Sequence, residues 1–303
     1  MKRYLFYITA LIIPLLLSQC EKIIDINLPD RDRKIVFNGM INPDSLVTVN
    51  LTRSLSVLEP DSFVFLDGAK AWLSEGGEKI GDLVPVGNGN YLLPGFYPSM
   101  GEEYRLDVEF DGLQPAYAIT AVPEPVPLGS VDTSSTIGEY GETEYQLKIR
   151  FMDPADDVNY YALVLYATNK RYDYLTGQLL DSLETHQVYF SLTDPVSDES
   201  SVYYGGKTMF NDLLFNGRER LIELSFSDYS FFMADTVWLE VKLEQIEPSY
   251  FLYATSSQKY YETFRNPFSE PVQVFTNVTG GFGIFSGYAS DSKTLVMPMI
   301  VKR

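Results

Sequence analysis

The sequence predicts a mainly β protein: two antiparallel β-sandwich-like modules, the first of immunoglobulin or transthyretin type, with one helix in the second. Three observations carry this. Apolar and polar residues alternate at period two, as in Tyr104, Leu106, Val108 and Phe110 against Arg105, Asp107, Glu109 and Asp111, the pattern of half-buried strands. Glycine-rich pairs such as Gly76-Gly77 punctuate these runs at hairpin spacing. Tyr and Phe supply 22 and 19 of the 303 residues, a usage typical of strands.

The first nineteen residues stand apart from that body. Lys2 and Arg3 precede an almost uncharged apolar run from Tyr4 to Leu17, shorter than the ~20 residues of a membrane-spanning helix. The run ends in Leu17-Ser18-Gln19-Cys20, and Cys20 is the only cysteine. This resembles a bacterial lipobox, with Gln19 where Gly, Ala or Ser is usual. The resemblance implies a signal peptide over 1–19 and lipidation of Cys20, and two acyl chains on one residue anchor stably. A lone cysteine also excludes an internal disulfide framework. Residues 20–34 are polar and broken by Pro29, and read as a tether between lipid and body.

The N-terminal module is expected over 35–122. Ile35-Val36-Phe37 opens a strand that should stop near Gly39. Val47, Val49 and Leu51 alternate with Thr48, Asn50 and Thr52. Gly76-Gly77 turns the strand carrying Trp72 and Leu73, Gly87-Asn88-Gly89-Asn90 leads into Tyr91, and Asp111-Gly112 leads into a strand from Ala116 to Ala121. Pro123, Pro125 and Pro127 mark a stiff connector, 123–129, taken as the domain boundary.

The C-terminal module, 130–303, resumes after a polar stretch at Thr133 to Thr136. Strands are expected around Tyr145 to Phe151, Tyr160 to Tyr166 (apolar on both faces, hence central), Val188 to Phe190, Ile222 to Phe226, Val237 to Leu243, and Leu295 to Val301. Between Pro248 and Pro267 the period changes: Tyr250, Tyr253, Ala254, Ser257, Tyr260, Tyr261 and Phe264 fall at helical spacing, giving one helix near 249–265.

Charge bounds the partners. The chain has 23 basic and 41 acidic residues, and loss of Lys2 and Arg3 with the signal leaves a net charge of −20. Such a surface disfavours nucleic acid and anionic lipid headgroups.

A family resemblance runs through several separated points. They include Cys20-Glu21-Lys22 with Ile23 to Pro29; Phe65-Leu66-Asp67-Gly68-Ala69, Gly89-Asn90-Tyr91 and Gly101-Glu102-Glu103-Tyr104; and Phe151-Met152-Asp153-Pro154 with Asn159-Tyr160-Tyr161. The most specific are Asn266-Pro267-Phe268-Ser269-Glu270-Pro271, Asn277-Val278 and the run Gly280 to Tyr288. Together they resemble the domain of unknown function 4249 family of bacterial lipoproteins. The resemblance implies an outer-membrane lipoprotein on the periplasmic or cell-surface face, commonly encoded near TonB-dependent receptors. It brings no assigned activity and no catalytic residues.

The residues themselves offer little chemistry. His186 is the only histidine, which excludes a multi-histidine zinc site, and no Gly-x-Ser-x-Gly elbow accompanies it. The run Gly280 to Gly287 lacks the Gly-x-Gly-x-x-Gly spacing and βαβ context of a nucleotide site; its glycines read as permitting bulges or close backbone approach. Asp153, Asp156, Asp157 and Asn159 crowd one loop. They are oxygen ligands for a weak calcium site or, in the plainer reading, ordinary turn chemistry. Tyr172, Tyr174, Tyr203 and Tyr204 fall in loop-like segments and suit stacking on sugars. Tyr253, Tyr260 and Phe268, on and after the helix, are the candidate partner-binding residues. No cofactor is expected. The function expected is a non-enzymatic binding or accessory module at the outer membrane, working with a TonB-dependent receptor in nutrient uptake; a carboxylate-based surface hydrolase and a structural or adhesion protein are the alternatives.

Overall fold

Two β-sandwiches share one strand. The computed structural model describes residues 32–298 except 57–58, 60–62, 139–140, 156, 174, 177, 194–201, 228–235, 265, 267 and 271. The first half forms β1 (Ile35–Ile41), β2 (Thr48–Arg53), β3 (Lys70–Glu75), β4 (Glu78–Asp82), β5 (Val84–Gly87), β6 (Asn90–Leu92), β7 (Glu103–Glu109) and β8 (Ala116–Ala121). The second forms β9 (Leu128–Ile137), β10 (Thr143–Met152), β11 (Tyr160–Asp173), β12 (Gln178–Val188), β13 (Ser191–Leu192), β14 (Val202–Tyr204), β15 (Lys207–Asn211), β16 (Glu219–Ser227), β17 (Thr236–Ile246), the helix α1 (Pro248–Phe264) and β18 (Phe282–Pro298).

In the first sandwich, β5-β6-β2-β1 faces β4-β3-β7-β8. The alternation delivers Phe37, Val49, Leu51, Leu73, Tyr91, Tyr104, Leu106 and Val108 into one buried core. In the second, β13-β16-β10-β9 packs on β14-β15-β11-β17-β18, with β12 added to β11. Tyr145, Leu147, Ile149 and Phe151 meet Tyr161, Leu163, Leu165, Val241 and Leu243 in a second core. Helix α1 forms a third layer on the outer face of the larger sheet. Pro248 occupies its first position, where a missing N–H costs nothing. Tyr250, Ala254 and Ser257 are its buried stripe, and the first two pack on Ala162, Met209 and Ile246.

The shared strand is β18. Phe282 to Gly287 runs parallel to β1, from Val36↔Phe282 to Ile41↔Gly287. Tyr288 to Pro298 then runs antiparallel to β17, from Ile246↔Tyr288 to Thr236↔Pro298. The glycines make the crossing possible by permitting close approach. Gly283 holds φ +102°, and a Cβ there would strike the Phe37 carbonyl; one at Gly287 would strike the Ala121 carbonyl. The Gly287 N–H donates to Thr120 Oγ1 at 2.8 Å, and Asn277 pairs with both the carbonyl and the N–H of Phe285.

This corrects the boundary drawn from sequence. Val278, Phe285 and Ala289 belong to the first core, so 130–303 is not a contiguous second module, and Arg33 onward forms one compact unit. Nor is the 123–129 connector a free linker. Val122 is buried in one core region and Val126 and Leu128 in the other, while the Leu128 N–H donates to Asp291 Oδ2 at 2.7 Å.

Three smaller expectations also change. β1 runs past Gly39 to Ile41, because Gly39 lies against Val49 and Phe285, leaving little room for a side chain. The polar stretch Thr133 to Thr136 is strand, paired to β10 as the edge of its sheet, where polar residues on both faces are tolerated. The strand expected at Val188 to Phe190 ends at Val188 and occupies Gln178–Val188 instead. Met299 and Val301, expected in the last strand, lie outside the described residues.

Candidate functional site

The acidic loop between β10 and β11 folds inward. Asp153 is 2% exposed; Tyr161 donates its hydroxyl to Oδ1, and the Gly217 N–H donates to Oδ2 at 2.8 Å. Burial pushes the Asp153 carboxyl above the usual range, these two hydrogen bonds oppose the shift, and the nearby Asp212 charge adds to it. Asn159 donates its backbone N–H to Asp212 Oδ2 at 2.8 Å. Its amide donates to the carbonyls of Pro154 and Asp157, and its Oδ1 accepts from Gln245 at 2.7 Å. Asp212, fully buried, was not singled out from sequence; a lone Asp fifty residues beyond the loop carries no local signal. Asp157 is exposed and Asp156 lies outside the described residues. Among the described residues no group of three or more His, Cys, Asp or Glu side chains is placed to hold a metal ion. Chemically, this network fixes a loop.

The aromatic candidates converge elsewhere. Tyr203 and Tyr204 sit in β14 rather than in a loop, because Gly205 and Gly206, at φ +58° and +83°, close a tight hairpin into β15. That Gly-Gly pair was the available signal. The hairpin is held down by Lys207, whose Nζ lies 2.8 and 2.5 Å from the Glu244 carboxylate, and 4.8 Å over the Tyr288 ring. Tyr204 stands edge-on to Tyr250 and Tyr253 of α1, at 6.4 and 6.0 Å between ring centroids. Burial and the Tyr204 neighbour push the Tyr253 hydroxyl up to about 12.

Between the hairpin and the helix lies an open groove of about 480 Å³ lined by Tyr203, Tyr204, Gly205, Gln258, Tyr261 and Glu262. Tyr203 is 51% and Tyr261 72% exposed. Gln258 Nε2 donates to Glu262 Oε1 at 3.0 Å, one helical turn apart. Of the residues expected to bind, Tyr203 and Tyr204 line this groove and Tyr253 stands behind Tyr204; Tyr261, Gln258 and Glu262, which complete it, were not among them.

The remaining candidates divide. Tyr172 lies in β11, Tyr174 and Cys20 lie outside the described residues, and His186 is half-buried within β12. Of the helix set, Tyr253 and Tyr260 are half-buried, Tyr260 being packed on Tyr261 and Phe264. Phe268 is almost fully exposed, as is most of Phe264.

A family model described as "Domain of unknown function (DUF4249)" matches residues 21–294. The chain belongs to this family. DUF4249 thus takes in both sandwiches, the shared strand, the helix and the groove. No curated protein matches the chain. Among solved structures, bovine butyrophilin is 11% identical over 70% of this chain and 92% of its own, with a TM-score of 0.19. The major pilin SpaA of Corynebacterium diphtheriae is 8% identical over 70% and 69%, TM-score 0.19. A structure titled as manganese lipoxygenase of Gaeumannomyces graminis with partial zonadhesin of Komagataella pastoris is 11% identical over 88% and 96%, TM-score 0.18. Within the DUF4249 chain, the run Gly280 to Tyr288 that carries much of the resemblance is the crossing between sandwiches. It serves the fold, and the groove lies apart from it.

Proposed function

We propose that this DUF4249 chain is a lipid-anchored accessory module of the outer membrane that binds rather than transforms its ligand, and works with an integral TonB-dependent receptor in nutrient uptake. The observation that carries the reading is the apolar end of α1. Phe264, the last residue of α1, and Phe268, just beyond it, are 68% and 96% exposed, apolar area whose burial against a partner would be favourable. The lipobox-like Cys20 supports the location, and the family resemblance supplies the class of partner. The polar leader after Cys20 reaches a few tens of ångströms at ~3.3 Å per residue. That suffices to dock on a neighbouring membrane protein, and tethering lets a modest interface hold.

Two experiments test this reading. Cys20→Ser should release the protein from membranes or leave it unprocessed; a variant that still pellets after normal cleavage overturns the anchor. Purification of the tagged chain in mild detergent, with mass spectrometry, should recover an integral outer-membrane receptor. Phe264→Asp with Phe268→Asp should abolish that recovery without moving the thermal melt. Undiminished recovery would place the partner surface elsewhere, and recovery of no receptor by the unaltered chain would remove the partnership.

A further inference from the structure

We propose that the groove between α1 and the β14–β15 hairpin binds a neutral glycan, with Tyr203 and Tyr261 offering ring faces and Gln258 and Glu262 meeting hydroxyls. This deepens the binding-module reading and rests on it only in treating the groove as a binding site.

The argument begins with shape. About 480 Å³ is within the range of small-ligand sites, about 300–1,000 Å³, and the groove is largely open to solvent, so a ligand enters without threading. The chemistry is mixed in the way a sugar is mixed. A pyranose presents patches of C–H that fit the electron-rich face of a phenol ring, and a rim of hydroxyls that donate and accept. Tyr203 and Tyr261 are exposed. Gln258 and Glu262, tied to each other at 3.0 Å, put an amide and a carboxylate beside them, and the phenol hydroxyls add donors that double as acceptors.

The rings are also set in place. Tyr261 stands edge-on to Tyr260 at 5.8 Å and 74°. Behind the groove, Tyr204 is wedged against Tyr250 and Tyr253, and Lys207–Glu244 pins the hairpin. Tyr261, already packed against Tyr260, loses less entropy on binding than a free side chain would. A Cβ at Gly205 would meet nothing within 4 Å, so the space beside the turn is open.

Two competing occupants fit less well. An anionic glycan would face Glu262 on a chain of net charge −18, an unfavourable field. A peptide adding to the sheet edge needs a run of free backbone groups, and β14 offers three residues, Val202–Tyr204.

The test uses the full chain in mild detergent, titrated by intrinsic fluorescence and calorimetry. The probes are maltohexaose, laminarihexaose and mannohexaose, with polygalacturonate and a mixed-sequence decapeptide as the other arms. At least one neutral hexasaccharide should bind saturably. Tyr203→Ala and Tyr261→Ala should each weaken it about tenfold, the scale of one aromatic face, with the melt unchanged. Glu262→Gln should narrow the preference over polygalacturonate. Failure of all three neutral probes, preference for the decapeptide or the polyanion, or binding indifferent to both tyrosine substitutions would each overturn the proposal. Receptor recovery by the same tyrosine variants separates the two readings. Loss of sugar with retained receptor isolates the groove; retained sugar with no receptor leaves the groove and removes the partner.

Discussion

The Asp153–Asn159 loop and the α1–β14 groove hold comparable densities of functional-looking side chains, and the fold uses them in opposite ways. In the loop, the carboxylate of Asp153 and the amide of Asn159 are spent on Tyr161, Gly217, Asp212 and Gln245. In the groove, Tyr203 and Tyr261 keep half or more of their surface in water, while the residues behind them do the holding. A cluster of ligand-type atoms in sequence is therefore no measure of availability. What separates the two regions is where the hydrogen bonds go, because a buried polar group must be satisfied internally and an exposed one need not be.

The strongest way to break the comparison is to cut the support beneath the groove. Lys207 and Glu244 are 17% and 3% exposed at the side chain. Lys207→Ala strands a buried carboxylate and should cost about 3–5 kcal/mol, read by urea unfolding. A loss below about 1 kcal/mol would mean that the pair is effectively solvated. Next in size is Asp212→Ala, which leaves the Asn159 backbone N–H without its 2.8 Å partner and should cost about 2–3 kcal/mol. Neither Tyr203→Ala nor Tyr261→Ala should move stability by more than about 0.5 kcal/mol. Equal losses at Asp212 and Tyr261 would erase the distinction between a spent cluster and an available one.

The fold class was legible because the alternation is strong: Tyr104, Leu106 and Val108, or Tyr145, Leu147, Ile149 and Phe151, reach the cores as their period requires. Helix α1 was legible from its period and from Pro248. The shared strand was not. Phe282 to Gly287 pairs with β1 across most of the chain, and its glycines erase the period-two signal while making the crossing sterically possible. The groove was half legible. Tyr203 and Tyr204 stood out as tyrosines in a loop-like segment, but Tyr261 read only as part of the helical period, and the convergence depends on β14 and α1 meeting on one face of a sheet, a long-range fact. Asp212 and the Lys207–Glu244 pair carried no signal at all, since each acquires its role only through a partner distant in sequence.

Proteolysis sharpens the comparison at smaller effect. The 123–129 connector, with Pro123, Pro125 and Pro127, reads from sequence as a linker, as the leader does, yet Val126 and Leu128 are buried and Leu128 is bonded to Asp291. Trypsin and Glu-specific protease should cut within 21–33 well before Glu124. Early cleavage at Glu124 would mean that the connector opens locally despite the burial of Val126 and Leu128.

The smallest effect concerns Asp153 and pH. Burial raises its carboxyl in the folded protein, with Asp212 adding to the shift, so the folded state holds the proton more tightly than the unfolded chain, whose value is about 3.9. By linkage, this stabilisation is fully present below about pH 3.9 and is lost as pH rises through the higher folded value. Asp153→Asn removes the titration while keeping an oxygen that accepts from Tyr161; what it lacks is an acceptor for the Gly217 N–H, a loss of about 1–2 kcal/mol that does not titrate. The stability of the unaltered chain minus that of the variant should therefore shrink as pH rises from about 3.5 to 7; carboxylates remote from Asp153, common to both, cancel, and the repulsion from Asp212, absent in the variant, acts in the same direction. Unfolding midpoints in urea at four or five pH values measure it. A difference that grows with pH would mean that the hydrogen bonds from Tyr161 and Gly217 outweigh burial and hold Asp153 ionised. The loop would then present a true buried carboxylate, and the contrast with the groove would rest on charge rather than on hydrogen bonding alone.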